Sequence, residues 1–77
     1  MFIVMRYSNF NKAERTRQFI VEKVAPIFNK KGYIGTSLRD LTAATGLTKG
    51  SIYGNFRNKD AVAIASFQYN ADFIIRN

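Results

Sequence analysis

Lys49, Ser51, Tyr53 and Asn55 are the residues whose types and spacing most invite chemistry. They alternate through a segment in which Ile52 and Phe56 stand four apart. In a helix that apolar pair turns to one side and leaves the four polar residues largely outside. The outward set offers hydrogen-bond donors and a cation but no carboxylate. Such a face suits base edges and phosphates in a DNA major groove. Acid–base catalysis usually needs His or paired carboxylates in a cleft. This chain has no His, and its five acids are scattered. Without a strand signal, no phosphate-binding loop can follow a strand. The expectation is a protein that is not an enzyme and has no catalytic residue.

Two short helices must position that face. Ser37 is a start signal for the first, with Asp40 three residues later as a capping box requires. Leu38, Leu41 and Thr45 repeat on one side with Ala44 beside them. Gly46 then supplies the residue type that takes a left-handed backbone at a helix end. Leu47 reads as a buried plug, and Thr48 as the N-cap of the second helix, from Lys49 to Phe56. Between the two there is room only for a sharp crossing.

Other segments are helical too. From Lys12 to Lys31, Ile20, Val24, Ile27 and Phe28 repeat at intervals of three and four, with Ala13 and Thr16 extending the stripe. Asn11 can cap this helix, Pro26 should bend it, and Gly32 should end it. Tyr33 is expected to pack on the core from the connector that follows. Asn58 is a cap for a last helix from Lys59, with Asp60 favouring its positive end. That helix is apolar on several sides, through Val62, Ala65, Tyr69 and Phe73 on one and Ile64, Phe67, Ala71, Ile74 and Ile75 on others. It should dock on a further domain or a second subunit, so the 77 residues are expected to be part of a longer chain. The fold class is all-α: a small helical bundle with a homeodomain-like helix-turn-helix and the start of a fourth helix. Residues 1–11 read as an N-terminal arm, 12–58 as the DNA-binding domain, and 59–77 as a connecting helix.

Composition supports this frame. Twelve basic residues against five acidic give a net charge of +7, the footprint of a nucleic-acid binder and equally of a membrane-surface protein, so the arrangement of residues has to decide. At 47% hydrophobic residues with seven Phe, the chain is too apolar to be disordered. With neither Cys nor His, disulfides, thiolate chemistry and the commonest zinc ligands are excluded, so no metal or cofactor is expected. No stretch approaches the roughly 20 apolar residues that span a bilayer. Met1 to Met5 makes a poor secretory signal, and a cytoplasmic location is the default.

The chain resembles the N-terminal DNA-binding domain of TetR-family transcriptional regulators. Phe28 through Gly32-Tyr33 to Thr36-Ser37 carries the likeness, then Ala44-Thr45-Gly46-Leu47-Thr48-Lys49-Gly50-Ser51-Ile52-Tyr53, then Asn55-Phe56-Arg57-Asn58-Lys59. It departs at Thr42 and Thr45, where the family usually has alanines, at Asn55, where it often has His or Tyr, and at Pro26. The resemblance implies operator binding as a homodimer, most often as a repressor. It also implies a small-molecule effector that acts through a larger C-terminal domain. Lys59 is similar to the family's phosphate-contacting lysine. Expected DNA contacts are Thr36, Ser37, Arg39, Thr48, Lys49, Gly50, Ser51, Tyr53, Asn55 and Lys59, with Thr36, Ser37 and Thr48 acting first as caps. An alternative without DNA is a protein-interaction module that uses the apolar face of the last helix; a membrane-bound form is disfavoured because the basic residues are spread over several helices.

Overall fold

The computed structural model describes residues 11–76, with side chains to residue 72, so the expected arm lies outside the described residues apart from Asn11. Four helices follow one another: α1 over Lys12–Gly35, α2 over Leu38–Thr45, α3 over Lys49–Asn55 and α4 over Lys59–Arg76. α1 is the centre of the bundle. It packs against each of the other three, most extensively against α4, while α2 and α3 also meet.

Asn11 caps α1 through a full capping box: its carboxamide accepts from the Glu14 N–H at 2.8 Å, and its own N–H donates to Glu14 at 3.0 Å. The buried stripe of α1 is Ile20, Val21, Val24, Ala25 and Phe28. Ile27 is only half-buried and Ala13 is exposed, so the stripe is rotated from the expected one. The rotation has a physical reason. α1 has neighbours on two sides, and Val21 and Ala25 widen its apolar face to serve both. Asn70 of α4 confirms the second neighbour by donating to the Ala25 carbonyl at 3.1 Å.

The break in α1 comes at Gly32 and not at Pro26. Gly32 has φ 74° and ψ 176°, a region open essentially only to glycine. It is the sole residue inside α1 with non-helical dihedrals. Pro26 is exposed, so water can meet the carbonyl that lost its donor, and the helix runs on. The residues after Gly32 form one more turn instead of a plain connector. Thr36 closes it, its N–H donating to the Tyr33 carbonyl at 3.3 Å and its hydroxyl to the Gly32 carbonyl at 2.7 Å.

The core joins Ile20, Val24 and Phe28 of α1 with Leu41 of α2, Ile52 of α3, and Val62 and Ala63 of α4. Leu38, Ala44, Leu47, Tyr53 and Phe56 pack around it half-buried, so Leu47 and Phe56 are rim contacts rather than deep plugs. The first half of α4 therefore belongs to the same core as α1–α3 and does more than lead away from it. Its inward line is Val62, Ala63 and Ser66, while Ile64 and Phe67 are 58% and 43% exposed. Phe67 still lies edge-on to Phe28, with ring centres 5.8 Å apart. The expected stripes through residues 73–75 fall outside the described side chains. Among the described residues no buried side-chain nitrogen or oxygen lacks a hydrogen-bond partner, and no helix is long and apolar enough to cross a membrane.

Candidate nucleic-acid interface

α2 and α3 are held at their crossing by local hydrogen bonds. Ser37 opens α2: its Oγ accepts from the Asp40 N–H at 3.1 Å, and its N–H donates to the Asp40 carboxylate at 2.9 Å. Lys31 of α1 adds an ion pair to the same carboxylate at 3.3 Å. The Ser37 N–H first, and Lys31 after it, hold the Asp40 carboxyl below its ordinary value of 3.8. α2 ends on Gly46, with φ 72° and ψ 8°, whose N–H donates to the Thr42 carbonyl at 2.8 Å. Thr45 then fastens the turn. Its buried hydroxyl donates to the Leu41 carbonyl at 2.8 Å and accepts from the Leu47 N–H at 3.1 Å. An alanine could do neither. Thr48 caps α3 by accepting from the Ser51 N–H at 3.1 Å.

On α3 the buried residue is Ile52. At about 100° per residue, Gly50 two positions before it and Gly54 two positions after it both lie opposite. Both glycines are exposed, and a Cβ on either would meet nothing closer than Thr48 Oγ1, 3.9 Å from Gly50. The outermost line of the helix is thus bare backbone. The four polar residues expected largely outside form its two shoulders. Lys49, exposed, and Tyr53, half-buried, line one; Ser51 and Asn55, both half-buried, line the other. Asn55 spends one N–H on the Ser51 carbonyl at 2.8 Å, leaving a second N–H and its oxygen. The Tyr53 ring packs against the core rim, so its phenol is carried at the shoulder of the helix.

The remaining expected contacts divide. Ser37, Arg39 and Thr48 are exposed near the starts of α2 and α3. Thr36 is a correction: it is fully buried and its hydroxyl is committed to Gly32, so its side chain serves as the C-cap of α1 and presents nothing to a ligand. Tyr33 is another. Instead of packing in the core it is 36% exposed and stands beside the start of α4. Its hydroxyl donates to the Asp60 carboxylate, and the Lys59 ammonium lies 4.5 Å from its ring centre. The hydrogen bond to Asp60 first, then burial, the Asp60 charge and Tyr53, push the Tyr33 phenol above its ordinary 10.0. Lys59 and Asp60 thereby meet at the Tyr33 side chain. Sequence reading missed the outward place of Gly54 and the pairing of Tyr33 with the start of α4. Counting from Ile52 places Gly54; a partner 27 residues away left no local signal for Tyr33.

This arrangement matches known proteins. The sequence profile of the bacterial regulatory proteins of the tetR family fits residues 20–65, which takes in most of α1, all of α2 and α3, and the start of α4. The chain belongs to the tetR family. A TetR-family transcriptional regulator from Cytophaga hutchinsonii superposes with a TM-score of 0.87 at 63% identity, over 88% of this chain and 34% of that one. The HTH-type transcriptional repressor DhaR of Mycobacterium sp. (strain GP1) is 44% identical over 45 residues, 58% of this chain and 23% of its own. The biofilm operon icaADBC HTH-type negative transcriptional regulator IcaR of Staphylococcus epidermidis is 34% identical over 62 residues, 75% of this chain and 34% of its own. The tetR-family chain described here thus spans between 23% and 34% of the length of these relatives. TetR-family proteins are DNA-binding regulators and not enzymes, and α2–α3 is this chain's helix-turn-helix.

Proposed function

We propose that the chain reads double-stranded DNA with α3 in the major groove, as the DNA-binding head of a homodimeric transcriptional repressor. The observation that carries this reading is the build of α3 itself. Lys49 sits in the first turn, where the helix dipole disfavours a cation by about 0.3–1 kcal/mol. Two glycines occupy open positions where alanine would be better by roughly 0.5–1 kcal/mol each. No acidic residue stands in its first turn to offset the cation. A helix seven residues long that forgoes stability along its whole outer face is arranged for something that approaches from outside.

DNA fits what that face offers. The bare line of Gly50 and Gly54 lets the helix backbone approach the groove floor. Lys49 and Ser51 then reach base edges, and Tyr53 donates to a phosphate. Arg39, Ser37, Thr48, Asn55 and Lys59 are proposed as flanking contacts. DhaR is a repressor and IcaR a negative regulator, and that role is carried to this chain as part of the proposal. Two heads in a dimer would address half-sites about one helical turn, roughly 34–36 Å, apart. An effector would act through a C-terminal domain, and a cytoplasmic location follows from a DNA target.

Fluorescence anisotropy of a labelled duplex at two salt concentrations tests the reading. Binding should weaken steeply with salt, with a log–log slope of about −0.9 per phosphate neutralised. A chain that ignores duplex DNA at low salt would instead favour a protein-interaction module built on Ile64 and Phe67 of α4, which are exposed.

A further inference from the structure

We propose that Tyr33 is a positioning residue of the DNA-binding face, whose ring holds the Lys59 ammonium ready for a backbone phosphate. The inference rests on the DNA-binding reading above and names a residue that reading does not use.

Three observations carry it. First, the Lys59 ammonium lies 4.5 Å from the Tyr33 ring centre, within the range of a cation–π contact. An aromatic face holds an ammonium without neutralising its charge, so the N–H groups turned away from the ring still serve a phosphate. Second, the charge of Lys59 is not spent on an ion pair. Among the described residues no carboxylate pairs with it, and Asp60, its neighbour in sequence, accepts from the Tyr33 hydroxyl instead. Third, Tyr33 has little other work. It is 36% exposed, outside the buried core, and follows Gly32, whose glycine-only dihedrals send the chain out of the α1 path. The break at Gly32 therefore sets one aromatic ring under one cation.

A lysine held this way loses less side-chain freedom on meeting DNA than one that must be ordered at that moment.

The test is the salt dependence of duplex binding by the whole chain, measured for Tyr33→Phe, Tyr33→Leu and Lys59→Ala. Lys59→Ala should make the slope shallower by about 0.9, one phosphate contact. Tyr33→Phe keeps the ring and should keep the parent slope. Tyr33→Leu should shift the slope toward that of Lys59→Ala and weaken binding about two- to fivefold at 0.1 M salt. Adding Lys59→Ala to Tyr33→Leu should then change little. A parent slope retained by Tyr33→Leu while Lys59→Ala alters it overturns the role of Tyr33 and leaves the DNA reading intact. An unaltered slope in Lys59→Ala removes both the phosphate role of Lys59 and this inference. A parent chain that binds no duplex removes the DNA reading itself. Circular dichroism checks that the leucine variant folds. Independently of any variant, the Lys59 ε-methylene protons should show an upfield ring-current shift by NMR, and ordinary lysine shifts there contradict the contact.

Discussion

At the residue scale, the shoulders of α3 carry distinct tasks. Tyr53→Phe removes one donor to a phosphate and should weaken binding on every sequence by roughly ten- to a hundredfold, the range of a hydrogen bond to a charged group. Lys49→Ala should also change which sequences are preferred, by about 1–3 kcal/mol at the base it reads. Anisotropy titrations against a panel of duplexes separate the two, and an equal loss on all sequences for Lys49→Ala would end its base-reading role. Asp40 makes a different prediction. Its carboxyl is held below 3.8 in the fold, first by the Ser37 N–H. A depressed value means stabilisation that is present above the unfolded pKa and lost as pH falls through the folded one. Thermal stability should therefore fall as pH drops below 3.8, and Asp40→Asn should flatten that part of the curve. Identical acid profiles for the two proteins would contradict the account. These residues were legible in the sequence because their partners are local: Ser37 and Asp40 stand three apart, as do Thr48 and Ser51.

At the scale of the element, two glycines fix corners and two others leave a face bare. Gly32 carries dihedrals that a side chain resists, so Gly32→Ala should cost about 1–3 kcal/mol in chemical denaturation. An unchanged midpoint would mean that the break in α1 is not fixed there. Gly54 behaves oppositely. Open space surrounds it, so Gly54→Ala should stabilise the fold by about 0.5–1 kcal/mol while weakening DNA binding. Gain in both, or loss in both, would contradict the idea that the backbone approaches the groove at this point. The helices and their ends were readable from caps and periodicity. The rotation of the α1 stripe was not, because α4 packs along α1 and reaches Ala25 through Asn70, and the sequence of one helix does not say where its second neighbour lies. Nor was the fate of Thr36, which looked like a donor at a helix start and proved to be the buried stop of the helix before.

At the scale of the molecule, one central helix braces both the reading pair and α4. The positive charge is spread over several helices, and Lys31 is already paired with Asp40. What distinguishes the proposed face is the combination of lysine charge without an ion pair among the described residues and a helix surface stripped to backbone. The inward line of α4 is satisfied within the bundle by Val62, Ala63 and Ser66, which explains why an apolar last helix could be read from sequence while its division between inner and outer faces could not.

The central claim is that α3 lies in the major groove, and guanine N7 reports that groove directly. On a duplex selected from a random pool, protection from methylation at guanine N7 should appear in two patches about one helical turn apart, and should weaken in Lys49→Ala. Protection confined to adenine N3 in the minor groove, or none at N7 under conditions where the duplex is bound, would contradict it.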